Sequence, residues 1–248
     1  MRMAYVIAFT LLGGSAVMTA DNTTDFYDNP ITRFFSRAEQ PLNQYRAFRR
    51  MHAFTEKSSR YEAWLDAWTE LKDGRFTYEV VSERGSDTTR SKVLRAMLAR
   101  EQELINSGDA DKGDLTAANY DFAEAGRDAD GSHLVQIKPR RSDVLLVDGR
   151  AVLNDRGELM RVEGRLARNP SFWTSLVNIV RRYSRIAGVR VPVATETTAR
   201  IKFVGTAQLD VAYDYHSVNG RPVAVSEAGA RPGPARSAGQ SDSSTAAR

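Results

Sequence analysis

Residues 189–203 read Val-Arg-Val-Pro-Val-Ala-Thr-Glu-Thr-Thr-Ala-Arg-Ile-Lys-Phe, and residues 207–215 read Ala-Gln-Leu-Asp-Val-Ala-Tyr-Asp-Tyr. In each run, apolar or small side chains at odd positions alternate with mostly polar ones, which is the pattern of a strand with one apolar face. Gly205 and Thr206 interrupt the alternation, so the two runs are predicted to form an antiparallel hairpin. A sheet with one apolar face needs another element to cover that face.

Most of the remaining chain also predicts strands. Turn signals such as Asp73-Gly74 and Asn169-Pro170 separate them. The segment 61–71 fits a helix as well as a strand, and the turn signal that follows it favours the strand. A short helix is predicted at residues 31–37. The predicted strands before the hairpin lie at residues 45–54, 61–71, 76–81, 120–123, 134–138, 144–153, 159–166 and 172–185.

One long helix interrupts this series of strands. Ser86 and Asp87 can cap its start and Gly108 can close its end. Between them runs an apolar stripe, interrupted only by Glu101, that consists of Val93, Leu94, Met97, Leu98, Leu104 and Ile105. The stripe either packs permanently on the sheet or forms a lid over a ligand cavity. The fold class is therefore mainly β with one long helix: a curved antiparallel sheet that forms an incomplete β-barrel covered by an amphipathic lid helix.

The two ends of the chain differ from its middle. Residues 1–20 are predicted to be a signal peptide, because a basic start precedes a short apolar core and small residues; a transmembrane anchor is the alternative. Residues 21–40 are predicted to be irregular, and residues 41–220 to form the half-barrel domain. Residues 221–248 are rich in Ala, Gly, Ser and Pro, which predicts a disordered tail.

The composition limits the chemistry that the protein can perform. The chain has no cysteine, which excludes disulfides and thiolate zinc sites. Its net charge of +4 does not by itself indicate nucleic acid, and none is predicted as a partner. The three histidines lack ligand spacing and are expected at the surface, and no nucleophile or phosphate-loop motif occurs. We therefore predict no catalytic residue, no metal site and no cofactor, and that the protein is not an enzyme.

The order of elements resembles a known family. A signal peptide, three strands, a lid-like helix and a further antiparallel meander are typical of the periplasmic lipoprotein-carrier (LolA-like) superfamily. In residues 182–193, Arg-Tyr-Ser-Arg-Ile-Ala-Gly-Val-Arg-Val-Pro-Val, a Gly precedes a strand that begins near a Pro, as in the late barrel region of that group. The resemblance covers about residues 40–218. It implies an incompletely closed barrel with helices over its open mouth, in proteins that bind lipids or lipoproteins.

These features together predict a monomeric periplasmic carrier or binding protein for the acyl chain of a lipid or lipoprotein. Its partners would be a lipid or an acylated protein, with an envelope protein as a further partner. A non-catalytic structural or envelope-sensing half-barrel, filled by its own side chains, is the alternative; the long helix and the charged loops argue against an outer-membrane barrel. The candidate ligand-binding residues, from the helix stripe and the inward face of the hairpin, are Val93, Leu94, Met97, Leu98, Val191, Val193, Ile201, Phe203, Leu209, Val211, Tyr213 and Tyr215.

Overall fold

The structure is a computed structural model that describes residues 29–37 and 39–224. The predicted signal peptide, residues 21–28 and 38 of the predicted irregular segment, and residues 225–248 of the predicted tail lie outside the described residues. Within the described part of the chain, no helix has both the length and the apolar character needed to cross a membrane.

The described chain forms an eleven-stranded antiparallel sheet in the spatial order β3-β2-β1-β10-β9-β8-β7-β6-β5-β4, with β11 paired to β10. The sheet is open, because β3 and β4 are its two edges. This arrangement confirms the predicted fold class. The strands are β1 (Tyr45–Thr55), β2 (Ala63–Lys72), β3 (Arg75–Gly85), β4 (Tyr120–Arg127), β5 (His133–Pro139), β6 (Val147–Leu153), β7 (Leu159–Leu166), β8 (Thr174–Ile186), β9 (Val189–Ile201), β10 (Gly205–Val218) and β11 (Arg221–Pro222).

The hairpin of β9 and β10 joins the two halves of the sheet. β10 pairs with β9 on one side and with β1 on the other, where Met51 lies opposite Val211. Its odd-numbered residues from Leu209 to Tyr215 are buried, as the alternation predicts. A β-bulge interrupts the pairing of β8 with β9. Arg182 lies opposite Ala194, but the following residue, Tyr183, lies opposite Pro192, so β9 has one extra residue at this point. Proline has no N–H to donate to the ladder, which explains a bulge at this point.

The long helix, residues 87–106, connects the edge strand β3 to the segment that leads to β4 at the other edge. It consists of three contiguous parts, Asp87–Thr89, the π-helical Arg90–Arg95 and Ala96–Asn106. The Ser86 hydroxyl caps the start by accepting from the Thr89 N–H at 3.4 Å. At the other end, the Gly108 N–H donates to the Ile105 carbonyl and the Asp109 N–H donates to the Leu104 carbonyl, with Gly108 at φ +77°. This is a Schellman motif, and it confirms the predicted helix end.

Two apolar clusters lie on the sheet. The larger contains Leu94, Met97 and Leu98 of the long helix together with inward residues of β1, β2, β9 and β10. The smaller lies on β4–β8, where the short helix Pro30–Ser36 contributes Ile31 and Phe34. That short helix was predicted within one residue of its observed bounds. The two clusters meet along β8, whose residues contribute to both.

Glycines permit close backbone approach where β6 and β7 pair. Gly149 lies opposite Gly164, and a Cβ at either position would come within 2.1 or 2.4 Å of a backbone oxygen of the partner strand. Any larger residue would therefore force these two strands apart.

Three sequence predictions need correction. Phe203 was predicted to be the last inward residue of its strand, but Ile201 pairs with Gly205 and Phe203 lies in the turn between them at φ +68°. The predicted boundary at residue 220 falls inside a hairpin, since Arg221–Pro222 pair with β10. His133 was expected at the surface and is buried.

Candidate functional site

An apolar cavity of about 310 Å³ lies at one end of the sheet, beside the start of the long helix. The ends of β1, β9 and β10, the first turns of the long helix and three connecting segments surround it. Its lining comprises Ala53, Phe54, Thr55, Tyr61, Thr88, Thr89, Val93, Trp173, Thr197, Ala199, Ile201, Lys202, Phe203, Val204, Ala207, Gln208 and Leu209.

Small side chains explain why space remains there. Ala199 lies opposite Ala207 across β9 and β10, and Ala53 of β1 lies opposite Leu209. At the other end of the same strands the inward positions hold Tyr45 and Tyr215, which stack edge to face with ring centroids 5.7 Å apart. Alanine side chains do not reach the helix, so the interior stays unfilled where they cluster.

Exposed aromatic side chains stand at the mouth of the cavity. Phe172 is 78% exposed, Trp173 39% and Phe203 94%. The Trp173 ring centroid lies 5.6 Å from that of Phe172 and 6.0 Å from that of Phe203, and Lys202 places its Nζ 3.8 Å from the Phe172 ring centroid. Contiguous exposed apolar surface is uncommon on monomeric proteins and marks sites that bind something apolar.

The helix segment beside this mouth is π-helical. Arg90–Arg95 has the wider i→i+5 pattern, and Val93 within it lines the cavity. Single π-helical turns occur mostly inside α-helices and frequently at functional sites. The following turns, from Ala96 onward, are ordinary α-helix.

A buried ion pair fastens the other half of the long helix to the sheet. Arg49 of β1 donates from Nη1 and Nη2 to the two carboxylate oxygens of Glu101, at 2.9 Å for the Nη2–Oε1 pair, and Nη2 also donates to the Tyr45 hydroxyl at 2.9 Å. The guanidinium carbon lies 4.8 Å from the ring centroid of Tyr213 and 5.2 Å from that of Phe76. Burial alone would lower the pKa of Arg49, but the Glu101 carboxylate raises it well above its ordinary value. Arg49 therefore stays charged, and its ion pair with Glu101 fixes the helix in register with β1.

Three arginines beside the helix stripe also have carboxylate partners. Glu83 of β3 accepts from Arg90 at 2.9 Å and from Arg95 at 2.8 Å, and the hydrogen bond from Arg95 is the main cause that lowers the pKa of Glu83. Arg100 pairs with Glu103. These three arginines therefore already neutralise carboxylates of the chain.

The predicted ligand-binding residues fall into three groups. Val93, Ile201, Phe203 and Leu209 line the cavity. Val193 is half-buried next to the bulge in β9. The others are buried in the larger apolar cluster rather than at the cavity: Leu94, Met97, Leu98, Val191, Val211, Tyr213 and Tyr215. Binding of a ligand by any of the twelve stays a prediction.

Sequence reasoning missed several residues of the cavity. Trp173 was assigned to a strand, and it lies in the loop before β8. The alanines that create the space, Ala53, Ala199 and Ala207, were not singled out, although small residues at inward positions of three neighbouring strands are a readable signal. Glu101 was noted only as an interruption of the stripe, and a carboxylate on an apolar helix face does predict a buried cationic partner.

This geometry defines a class of protein in which one helix covers the concave face of a curved, open antiparallel sheet and an apolar cavity lies at one end. Searches against protein-family models and against the sequences of curated proteins find no match. Among solved structures, the chain is similar to a LolA superfamily protein from Nitrosomonas europaea, with a TM-score of 0.38 and 10% sequence identity, over 72% of this chain and 89% of that one. That superfamily is the one that the order of elements in the sequence resembles.

Proposed function

We propose that the protein binds the acyl chain of a lipid or of an acylated protein in the cavity beside Val93, and carries it in the periplasm without catalysis. The observation that carries the proposal is the combination of an apolar cavity with exposed aromatic rings at its mouth. The volume of 310 Å³ lies at the lower end of the range of about 300–1,000 Å³ for ligand pockets. Burial of about ten methylene groups contributes about 8 kcal/mol. No catalytic group is needed for such binding.

The second candidate is a structural or envelope-sensing module that binds a protein partner. The burial of the helix stripe favours it, because Leu94, Met97 and Leu98 fill the concave face of the sheet and the Arg49–Glu101 pair holds the helix in place. The two candidates differ in whether the cavity takes up an apolar ligand.

Filling the cavity tests the proposal. We expect the parent protein to bind a fluorescent fatty-acid probe, and Ala199→Leu to bind it at least about tenfold more weakly, because the three added side-chain carbon atoms occupy the space beside Thr197. Ala212→Leu is the matched control. It makes the same substitution on the neighbouring strand β10, at a half-buried position of the opposite face, and it should bind the probe as the parent does.

Native mass spectrometry of the exported protein would identify a ligand that co-purifies. A parent protein that binds neither the probe nor a co-purifying lipid would overturn the carrier proposal in favour of the filled module.

A further inference from the structure

Arg181 is a buried arginine on the inward face of β8. It is only 6% exposed, and it lies opposite Thr195 of β9. The inward residues on either side of it along the strand are Ile179, which belongs to the larger apolar cluster, and Tyr183, which belongs to the smaller. Arg181 thus lies where the two clusters meet.

Within the described residues, the Arg181 guanidinium has neither a carboxylate at ion-pair distance nor a hydrogen-bond acceptor, and its Nε atom is fully enclosed. The other buried arginine, Arg49, has both through Glu101 and Tyr45. An uncompensated buried cation costs several kcal/mol, so a chain that keeps one pairs it with something. Buried polar groups without a partner in a structure are explained by an ion, a water or a ligand.

Among the described residues, the surroundings of Arg181 supply hydroxyl groups and no carboxylate that pairs with it. The Tyr183 hydroxyl and the Thr197 Oγ1 are likewise buried without a hydrogen-bond partner among the described residues. Burial raises the pKa of Tyr120 and of Tyr213, and the positive charge of Arg181 partly opposes that rise. Hydroxyl and guanidinium groups together donate hydrogen bonds to oxyanions.

The cavity reaches this cluster at Thr197, and Arg181 itself is not part of its lining. Thr197 lines the cavity, and it is the next inward residue on β9 after Thr195, the residue that pairs with Arg181. Inward neighbours two residues apart on a strand are about 7 Å apart. A ligand whose chain lies against Ala199 and Thr197 would therefore bring its end group towards Arg181.

We propose that Arg181 is an oxyanion-binding site that receives the carboxylate or phosphate oxygens at the polar end of a lipid whose chain occupies the cavity. The proposal rests on the proposed function for the position of the apolar chain. A planar guanidinium binds two oxygens of such a group at once, and its positive charge selects anionic over neutral ligands.

The test compares ligands that differ only in charge. The affinities of a fatty acid and of the fatty alcohol of equal chain length are measured by calorimetry, with inorganic phosphate as a third ligand, for the parent, Arg181→Met and Arg182→Met. Arg182 is the matched control because it is the next residue, lies on the outer face and pairs with Glu196. We expect the parent and Arg182→Met to prefer the acid over the alcohol by about 10- to 100-fold.

Arg181→Met should lose this preference and keep the affinity for the alcohol. Its melting temperature without ligand should equal or exceed that of the parent, because the substitution removes an unpaired buried charge and keeps the volume. A purely structural role predicts the opposite, a lower melting temperature with the acid preference intact. If Arg181→Met does not fold, Arg181→Lys replaces it, and we expect the preference for the acid to remain at a weaker affinity.

The remaining outcomes separate the two proposals. Equal binding of acid and alcohol by the parent, with no binding of phosphate, overturns the oxyanion site and leaves the acyl-chain cavity standing. Binding of phosphate by the parent and not by Arg181→Met, with no binding of acid or alcohol, overturns the acyl-chain cavity and identifies a free anion as the occupant of the Arg181 site. No binding of any of the three ligands overturns both.

Discussion

The two ends of the long helix face the same sheet in different ways. Around Glu101 the interface is full: large inward side chains pack against one another, and a buried ion pair crosses from helix to sheet. Around Val93 most of the inward residues are alanines and threonines, a cavity remains, and aromatic rings at its mouth face solvent. One helix therefore combines an anchored half with a half that leaves room for a ligand.

Because of this difference, the two halves of the helix have separate roles: one half is core, and the other half is the candidate lid. The anchored half is held by a charged pair that stabilises the folded state only while both partners are present. The half beside the cavity has its charges paired at the surface, through Arg90 and Arg95 to Glu83 of the edge strand. Exposed pairs of this kind contribute little, about 0–1 kcal/mol each. Any opening of the structure should therefore begin at the Val93 end.

The largest expected effect comes from breaking the buried pair. Glu101→Ala leaves the Arg49 guanidinium charged and without its carboxylate in the core, which should lower the free energy of unfolding by about 3–5 kcal/mol. Urea unfolding measures this. Glu103→Ala is the control: it removes a carboxylate two residues away whose pair with Arg100 is largely exposed, and it should change stability by less than about 0.5 kcal/mol. Similar losses in the two variants would mean that the buried pair does not anchor the helix.

A smaller effect should separate the two halves of the apolar stripe. Leu98→Ala removes a fully buried side chain and should cost about 2–5 kcal/mol. Val93→Ala lies at a cavity that is already present, so its loss of stability should stay near 1 kcal/mol, while uptake of the fatty-acid probe changes. Thermal unfolding and probe titration of both variants make the comparison. Equal destabilisation by both substitutions would show that the helix packs uniformly along its length.

Much of the fold was predictable because strand alternation and helix capping are local properties of the sequence. The inward faces of β9 and β10, the Schellman end at Gly108 and the short helix at residues 31–37 all follow from a few neighbouring residues. Phe203 shows the limit of this reasoning. Alternation placed it inside, but three residues, 202–204, close the turn, and the pairing of Ile201 with Gly205 decides its position.

The site was less predictable, because it depends on which residues meet across strands that are far apart in sequence. Ala53 belongs to the first strand and Ala199 to the ninth, and only their common end of the sheet makes them walls of one cavity. Arg181 is next to Arg182 and near Arg185, so the sequence presents it as one of several surface cations. Arg181 is buried because of the register in which β8 pairs with β9, and this register cannot be predicted from a local sequence pattern.

The smallest expected effect on stability concerns the mouth of the cavity. Phe203 has a left-handed backbone at φ +68° and an almost fully exposed ring, so it gains little from burial and carries strain that a glycine would not. Phe203→Gly should therefore change the free energy of unfolding by no more than about 1 kcal/mol in either direction, because relief of strain offsets the greater freedom of glycine in the unfolded chain. Uptake of the fatty-acid probe should fall, since the ring is part of the cavity lining.

Two further variants serve as controls. Phe203→Ala should lower uptake equally but be less stable than Phe203→Gly. Val81→Ala, at an exposed position of β3, should change neither uptake nor stability. A Phe203→Gly variant that keeps full uptake would mean that the exposed ring has no part in binding, and that the cavity takes its ligand by the path beside Val93.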